Sequence, residues 1–184
     1  MASSPTRRLI LLRHAKSAWP DVPDHERPLA GRGRRAAPAA GRWLRESGYV
    51  PDRVLCSTAQ RARETWQLAE EGLGADPPTT FEDRVYGASA AELLDLARQT
   101  PSGVRTLMIV GHEPAMRDLT LELASTQPDK AGEEEALERV RAKFPTSAIA
   151  VLALTARWPE LGPGQAQLAE FVVPSDLGSG KGTS

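Results

Sequence analysis

Short apolar runs alternate along this chain with longer stretches of helical composition. Arg8 to Arg13 (RLILLR) is apolar, bounded by charge and too short for a helix, so it predicts a buried strand. Residues 15–30 contain Pro20, Pro23 and Pro28 without any period, and predict a loop. Residues 31–47 predict a helix stopping at Gly48, with Pro38 marking a kink or the true first turn. Arg53 to Cys56 (RVLC) predicts a second strand, residues 59–71 a helix ending at Gly72, and residues 73–80 (LGADPPTT) a turn region.

Ser89 and Glu92 form a capping-box pattern with Leu93, Leu94, Leu96 and Ala97 behind it, which predicts a helix over about 90–99. Thr106 to Val110 (TLMIV), followed by Gly111, is the clearest strand. Pro114 suits the first turn of a helix running to about 124. Residues 130–143 are charged and helix-prone, and three consecutive glutamates place them at the surface. Ala148 to Leu154 and Leu168 to Val173 predict the last two strands, and the Gly/Ser-rich residues 175–184 predict a disordered tail. This alternation predicts a three-layer α/β/α sandwich around a largely parallel sheet. One domain over 1–184 is expected, with an ordered core of about 7–174.

Composition narrows the class. Of the 184 residues 40% are hydrophobic and 26% charged, which excludes a wholly disordered or collagen-like chain. No apolar run approaches the roughly 20 residues of a membrane-spanning helix, and none after the opening MASSPTRR suits a secretory signal. The single cysteine, Cys56, excludes an internal disulfide framework and fits a reducing compartment. A cytoplasmic protein, monomeric or weakly homo-oligomeric and without a membrane partner, is expected. The net charge of −1 hides an asymmetry: residues 1–65 hold 13 Lys or Arg against 6 Asp or Glu. That basic first third points to an anionic ligand.

In open α/β sheets, ligands bind beyond the carboxyl ends of the strands. Arg13 and His14 follow the first predicted strand, Ser57 and Arg61 the second, and Gly111, His112 and Glu113 the third. Two guanidinium groups and two imidazoles on one rim suit a phosphate, because the planar guanidinium fork matches phosphate oxygens. A histidine nitrogen can also serve as a nucleophile and form a phospho-intermediate.

These residues carry a resemblance. Leu12-Arg13-His14-Ala15 is similar to the Arg-His-Gly signature of the histidine phosphatase superfamily, with its phosphoglycerate mutase-like fold. Ala15 replaces the usual glycine, as suits the SixA-like phosphohistidine phosphatase branch. Arg27-Pro28-Leu29 with Gly33, the segment Ser57 to Thr65, and Gly111-His112-Glu113-Pro114 resemble three further segments of that branch, in the same order. The resemblance implies hydrolysis without metal or other cofactor, through phospho-His14. Arg13, Arg61 and His112 would surround the phosphate, and Ser57 and Arg27 would assist. It leaves the general acid open among Glu82, Asp83 and Asp24. The expected partners are a protein carrying phosphohistidine or a small phosphorylated metabolite. A small-molecule phosphomonoesterase and a non-catalytic phosphohistidine-binding module are the alternatives.

Other features read as structural. Ser57 alone could cap a helix. His25 sits in a Pro-rich loop and reads as a surface histidine. Cys56 with Arg61 is one residue short of the Cys-x₅-Arg of cysteine phosphatases, so Cys56 reads as a small buried hydrophobe. Gly31 to Arg35 (GRGRR) reads as a solvated helix start rather than a nucleic-acid site. Trp43, Trp66 and Trp158 read as packing residues, and so does Trp19 unless it lines the substrate entrance.

Overall fold

The computed structural model describes residues 6–127 and 131–177. Six strands form one sheet: β1 (Arg7–Arg13), β2 (Arg53–Ser57), β3 (Thr79–Glu82), β4 (Thr106–Gly111), β5 (Ile149–Leu154) and β6 (Ala166–Val172). Their order across the sheet is β3-β2-β4-β1-β5-β6. The pairs β1–β4, β2–β4 and β2–β3 are parallel, whereas β5 runs antiparallel to both β1 and β6. The helices are α1 (Gly31–Glu46), α2 (Gln60–Leu73), α3 (Ala90–Arg98), α4 (Ala115–Leu123), α5 (Glu133–Ala142) and the short α6 (Pro174–Leu177).

The period-two geometry of a strand divides the core in two. Leu9 and Leu11 of β1 join Leu107 and Ile109 of β4 against α3, α4 and α5. Ile10 and Leu12 join Met108 and Val110 against α1 and α2, including Ala40, Leu44, Trp66 and Leu73. The sheet is therefore buried on both faces, as its near-continuous apolar runs require. The fold is a three-layer α/β/α sandwich of the phosphoglycerate mutase-like kind, with the largely parallel sheet expected. No helix among the described residues is long and apolar enough to cross a membrane.

Four details depart from the sequence reading. Helix α1 starts at Gly31 and keeps Pro38 in its interior. Its hold is tertiary: a Cβ on Gly41 would lie 1.8 Å from the Ala69 carbonyl oxygen, and one on Gly72 2.1 Å from that of Pro38, so α1 and α2 touch backbone to backbone. Gly72 is accordingly inside α2, which ends at Leu73 with Gly74 in the left-handed region as its cap. The last two residues of the predicted turn, Thr79 and Thr80, belong to edge strand β3, which exists through its pairing with β2 and shows no apolar run of its own. Residues 175–177, expected to be disordered, lie in α6, where the Asp176 carboxylate accepts from Val173 N–H at 3.1 Å. Residues 178–184 lie outside the described residues, as does 130 at the start of the helix expected over 130–143.

The loop after β1 is tied down from several sides. Ala30 N–H donates to the Lys16 carbonyl at 2.9 Å, and Ala15 N–H donates to Thr65 Oγ1 at 2.9 Å. A Cβ on Gly33 would lie 2.2 Å from the Lys16 carbonyl oxygen, so the first turn of α1 rests on that loop's backbone. Gly33→Ala is expected to push the loop outward and cost about 1–3 kcal/mol through overpacking. Denaturant unfolding with turnover of a model phosphate ester checks this; unchanged stability and activity would show that the contact does not hold the loop.

Candidate active site

The sheet register assembles the site. Arg13 pairs with Gly111, and Cys56 with Val110, so β1, β4 and β2 end level with one another. The next residues after β1 and β4, His14 and His112, therefore emerge on one rim beside Ser57, the last residue of β2. The chain leaves β1 toward α1 on one face and β4 toward α4 on the other, opening a crevice where the two connections part. There a cavity of about 260 Å³ is lined by Arg13, His14, Lys16, Ser17, Trp19, Arg27, Arg61, His112, Glu113 and Thr146.

His14 is held in one tautomer. Its Nδ1 lies 2.8 Å from the Ala15 carbonyl oxygen, which only accepts, so Nδ1 carries the hydrogen and Nε2 keeps a lone pair. Nε2 bonds to no described residue and is not sealed inside the protein. His14 is 7% exposed. Burial pushes its pKa down to about 3, against the opposing bond to Ala15 and with help from His112, Arg13 and Arg61. The imidazole is thus neutral and unprotonated at Nε2 at physiological pH.

His112 stands beside it, with ring centroids 5.2 Å apart. Its Nε2 lies 2.7 Å from Ser57 Oγ, which also accepts from Ala59 N–H at 3.2 Å. Where the serine hydroxyl donates to Nε2, the ring hydrogen sits on Nδ1. Burial, followed by the Arg61 charge, lowers the His112 pKa to about 4. Ser57 accepts from a backbone N–H before α2 and bonds the second histidine, but it is fully buried and does not line the cavity.

Two buried polar atoms here have no partner, an arrangement that suits an anion. Arg13 donates through Nη1 to the Phe144 carbonyl at 2.9 Å, but its Nε has no partner, and neither has His112 Nδ1. Buried donors normally find partners, and leaving one unmade costs about 1–3 kcal/mol. Ser147 Oγ, also unpartnered, belongs to the residue whose N–H donates to the carbonyls of Arg13 and His14, both at 3.1 Å. Ser147 holds a φ of 63°, uncommon for a residue with a side chain, and braces the Arg13–His14 backbone from behind. The fourth such atom among the described residues, Arg7 Nε, lies at the start of β1.

The remaining sequence-derived candidates divide. Arg61 lines the cavity, yet it also donates to the Asp24 carbonyl at 2.8 Å and to Asp24 Oδ2 at 3.1 Å. Arg27 donates to Asp24 Oδ1, Ser17 Oγ and the Ala18 carbonyl, so it mainly orders the loop around it. Asp24 accepts from Arg27, Arg61 and Tyr86 Oη; the Tyr86 bond first, then the two guanidinium groups, hold its pKa well below the usual carboxylate range. It is a locked anion and a poor proton donor. Glu82 chelates Arg84 at 3.0 and 3.1 Å and lines a separate cavity at the sheet edge. Asp83 is exposed in the turn Asp83–Val85 and does not line the site cavity.

Residues 9–86 match the model of the histidine phosphatase superfamily (branch 1). An uncharacterised protein of Mycobacterium tuberculosis is 46% identical over 164 residues, spanning 89% of this chain and 99% of the relative. A proposed phosphohistidine phosphatase, SixA, of Nakamurella multipartitia aligns with a TM-score of 0.79 at 32% identity, over 94% of this chain and 99% of that one. The chain belongs to the histidine phosphatase superfamily. Within it the chain is SixA-like, and it is a phosphatase. A tungstate complex of the protein histidine phosphatase SixA, 22% identical with a TM-score of 0.69 over 92% of this chain and 99% of that one, shares the fold.

Four residues that the motifs alone leave in the background lie at or beside the candidate site: Trp19 and Glu113 line the cavity, and His25 and Tyr86 pack next to it. His25 is no free surface histidine: its Nε2 lies 2.9 Å from Thr58 Oγ1, and its ring meets Tyr86 edge-on at 4.7 Å. Tyr86 in turn meets His112 edge-on at 5.7 Å, so three rings run from the loop to the second histidine. Trp19 is 78% exposed and lines the cavity, with the Arg27 guanidinium 3.3 Å from its ring centre. Glu113 also lines the cavity, half-buried, and burial raises its pKa. Its position between His112 and Pro114 was a visible signal, but one that reads equally as a helix cap. Its Oε1 does accept from Arg117 N–H at 2.8 Å.

Because both histidine pKa values are lowered, His14 and His112 stay neutral at pH 5, where an ordinary histidine, with a pKa of about 6.5, is mostly protonated. The unfolded chain then takes up protons first, so this contribution to stability falls as pH drops below about 6.5. Ring ¹⁵N shifts recorded from pH 8 to 4.5 check the assignment. His14 titrating near the ordinary value, or carrying its neutral-state hydrogen on Nε2, contradicts it.

Proposed function

We propose that this chain hydrolyses phosphohistidine on a protein through a covalent intermediate on His14. The observation that carries the reading is the His14 imidazole: neutral, with Nδ1–H fixed on a carbonyl and an unpartnered Nε2, in a cavity lined by three arginines, with an unpartnered Arg13 Nε. Nε2 attacks phosphorus while the bond from phosphorus to the substrate's nitrogen breaks. The electron pair leaves with the substrate imidazole, which takes up a proton. Water then attacks phosphorus, and the bond to Nε2 breaks with its electron pair returning to His14. The water gives up a proton and inorganic phosphate departs. Arg13, Arg61 and His112 stabilise the charge spread over the transferring phosphoryl oxygens, which is where most of the catalysis in such transfers lies.

Glu113 is the carboxyl group best placed to supply and retrieve that proton. It lines the cavity, and burial favours its protonated form. Asp24 is held ionised by three donors, and Glu82 is bound to Arg84. The same residue supports a second reading, small-molecule phosphomonoester hydrolysis, because an alkoxide leaving group needs a positioned acid.

Two experiments test these roles. Brief incubation with radiolabelled phosphohistidine protein is expected to leave acid-labile label on His14, and His14→Ala to abolish labelling and lower turnover roughly thousandfold. Equal turnover by both proteins would end the covalent reading; binding without label or turnover would indicate a phosphohistidine-binding module. Glu113→Gln retains the oxygen that caps α4 but loses the proton. It is expected to slow alkyl phosphate hydrolysis roughly 10²–10⁴-fold while leaving p-nitrophenyl phosphate, with its good leaving group, within about threefold. Equal slowing on both substrates would assign Glu113 a purely structural role.

A further inference from the structure

Beside the reaction cavity lies a larger groove, of about 690 Å³, that the chemistry above does not use. It shares Arg13, Lys16 and Thr146 with the cavity, so the two are continuous. Arg32 from the first turn of α1, and Arg139 and Lys143 from the end of α5, add three more cations. Ala142, Pro145, Phe171, Val173 and Pro174 supply its apolar surface, and no carboxylate lines it among the described residues. The juxtaposition comes from the charge pattern of α5, which begins with Glu133, Glu134 and Glu135 and ends with Arg139, Arg141 and then Lys143. Although residues 66–184 are net acidic, α5 turns its basic end toward the site.

Arg139 is partnered, donating to Asp176 at 3.0 Å. Lys16, Arg32 and Lys143 are exposed and form no ion pair with another described residue. They stand on three separate segments, the loop after β1, the start of α1 and the connection after α5, and none is fixed by an ion pair to a described residue. A compact second phosphate would call for convergent, fixed donors. An extended segment with acidic side chains and an apolar residue or two matches the groove better.

Resting on the reading of a phosphoprotein substrate, we propose that this groove binds an acidic polypeptide segment flanking the phosphorylated histidine. It would thereby select which phosphoproteins are dephosphorylated. Arg32 and Lys143 are then specificity residues that never touch the reacting phosphoryl group.

The test uses the full chain and the double variant Arg32→Ser/Lys143→Ser, with phosphohistidine peptides whose flanks carry either glutamates or glutamines. In wild type the acidic peptide is expected to have a kcat/KM about tenfold above the neutral one at low salt, a preference that about 0.5 M NaCl removes. The double variant should lose the preference and keep its turnover of p-nitrophenyl phosphate. An acidic preference unchanged in the variant overturns the proposal. So does tripolyphosphate competing as strongly as the acidic peptide and losing its grip in the variant, which would indicate a small-polyanion site. Fluorescence anisotropy of an unphosphorylated acidic peptide, measured on the His14→Ala protein, reads the groove without turnover. Binding there that is lost when Arg32→Ser and Lys143→Ser are added to His14→Ala supports the groove even if the phosphatase reading fails, and no binding there counts against it.

Discussion

From Arg8 opposite Thr106 to Arg13 opposite Gly111, the parallel ladder between β1 and β4 sets the level at which both strands end. Two histidines far apart in sequence become neighbours because each directly follows its strand. Apolar burial alone does not dictate that alignment, since both faces of the sheet are covered and a one-residue slip would exchange one apolar set for another. The ends dictate it. His14 N–H donates to the Gly111 carbonyl, Arg13 N–H to that of Ala148, and Ser147 N–H to both Arg13 and His14 carbonyls. The structural anchor of the register and the chemical site are therefore the same few residues.

That coincidence explains the electrostatics. His14, the proposed nucleophile, stands at a sheet rim near two guanidinium groups and beside a second ring, and is kept from protonation by burial first and by those positive neighbours after it. The same cations attract the phosphoryl group that the neutral nitrogen would attack. Burial and charge thus act in one direction on both partners of the reaction.

The apolar strands were legible because burial on both faces leaves a run that no loop imitates, as in RLILLR and TLMIV. Strand β3 was not, because only backbone pairing with β2 makes it a strand. At the site, Arg13, His14, Arg61 and His112 could be read from strand exits, since topology carries those positions to one rim. What escaped was what loops do when they meet. Asp24 and Tyr86 lie 62 positions apart and nothing in either segment announces their bond, yet it turns a candidate acid into a fixed anion and draws His25 into a ring contact. Glu113 stood in plain view, but its chemistry depends on burial that only the folded crevice provides.

The Asp24 cluster bears on how the site meets its ligand. By bonding Arg27, Arg61 and Tyr86 together, one half-exposed carboxylate keeps two long, rotamer-rich side chains in register before any anion arrives. Their freedom is surrendered when the chain folds, not at each encounter, so under the proposed function a phosphoryl group would meet side chains already ordered and forfeit less affinity to immobilising them. Asp24 thus acts as a built-in counterion that fixes both guanidinium groups in the folded chain.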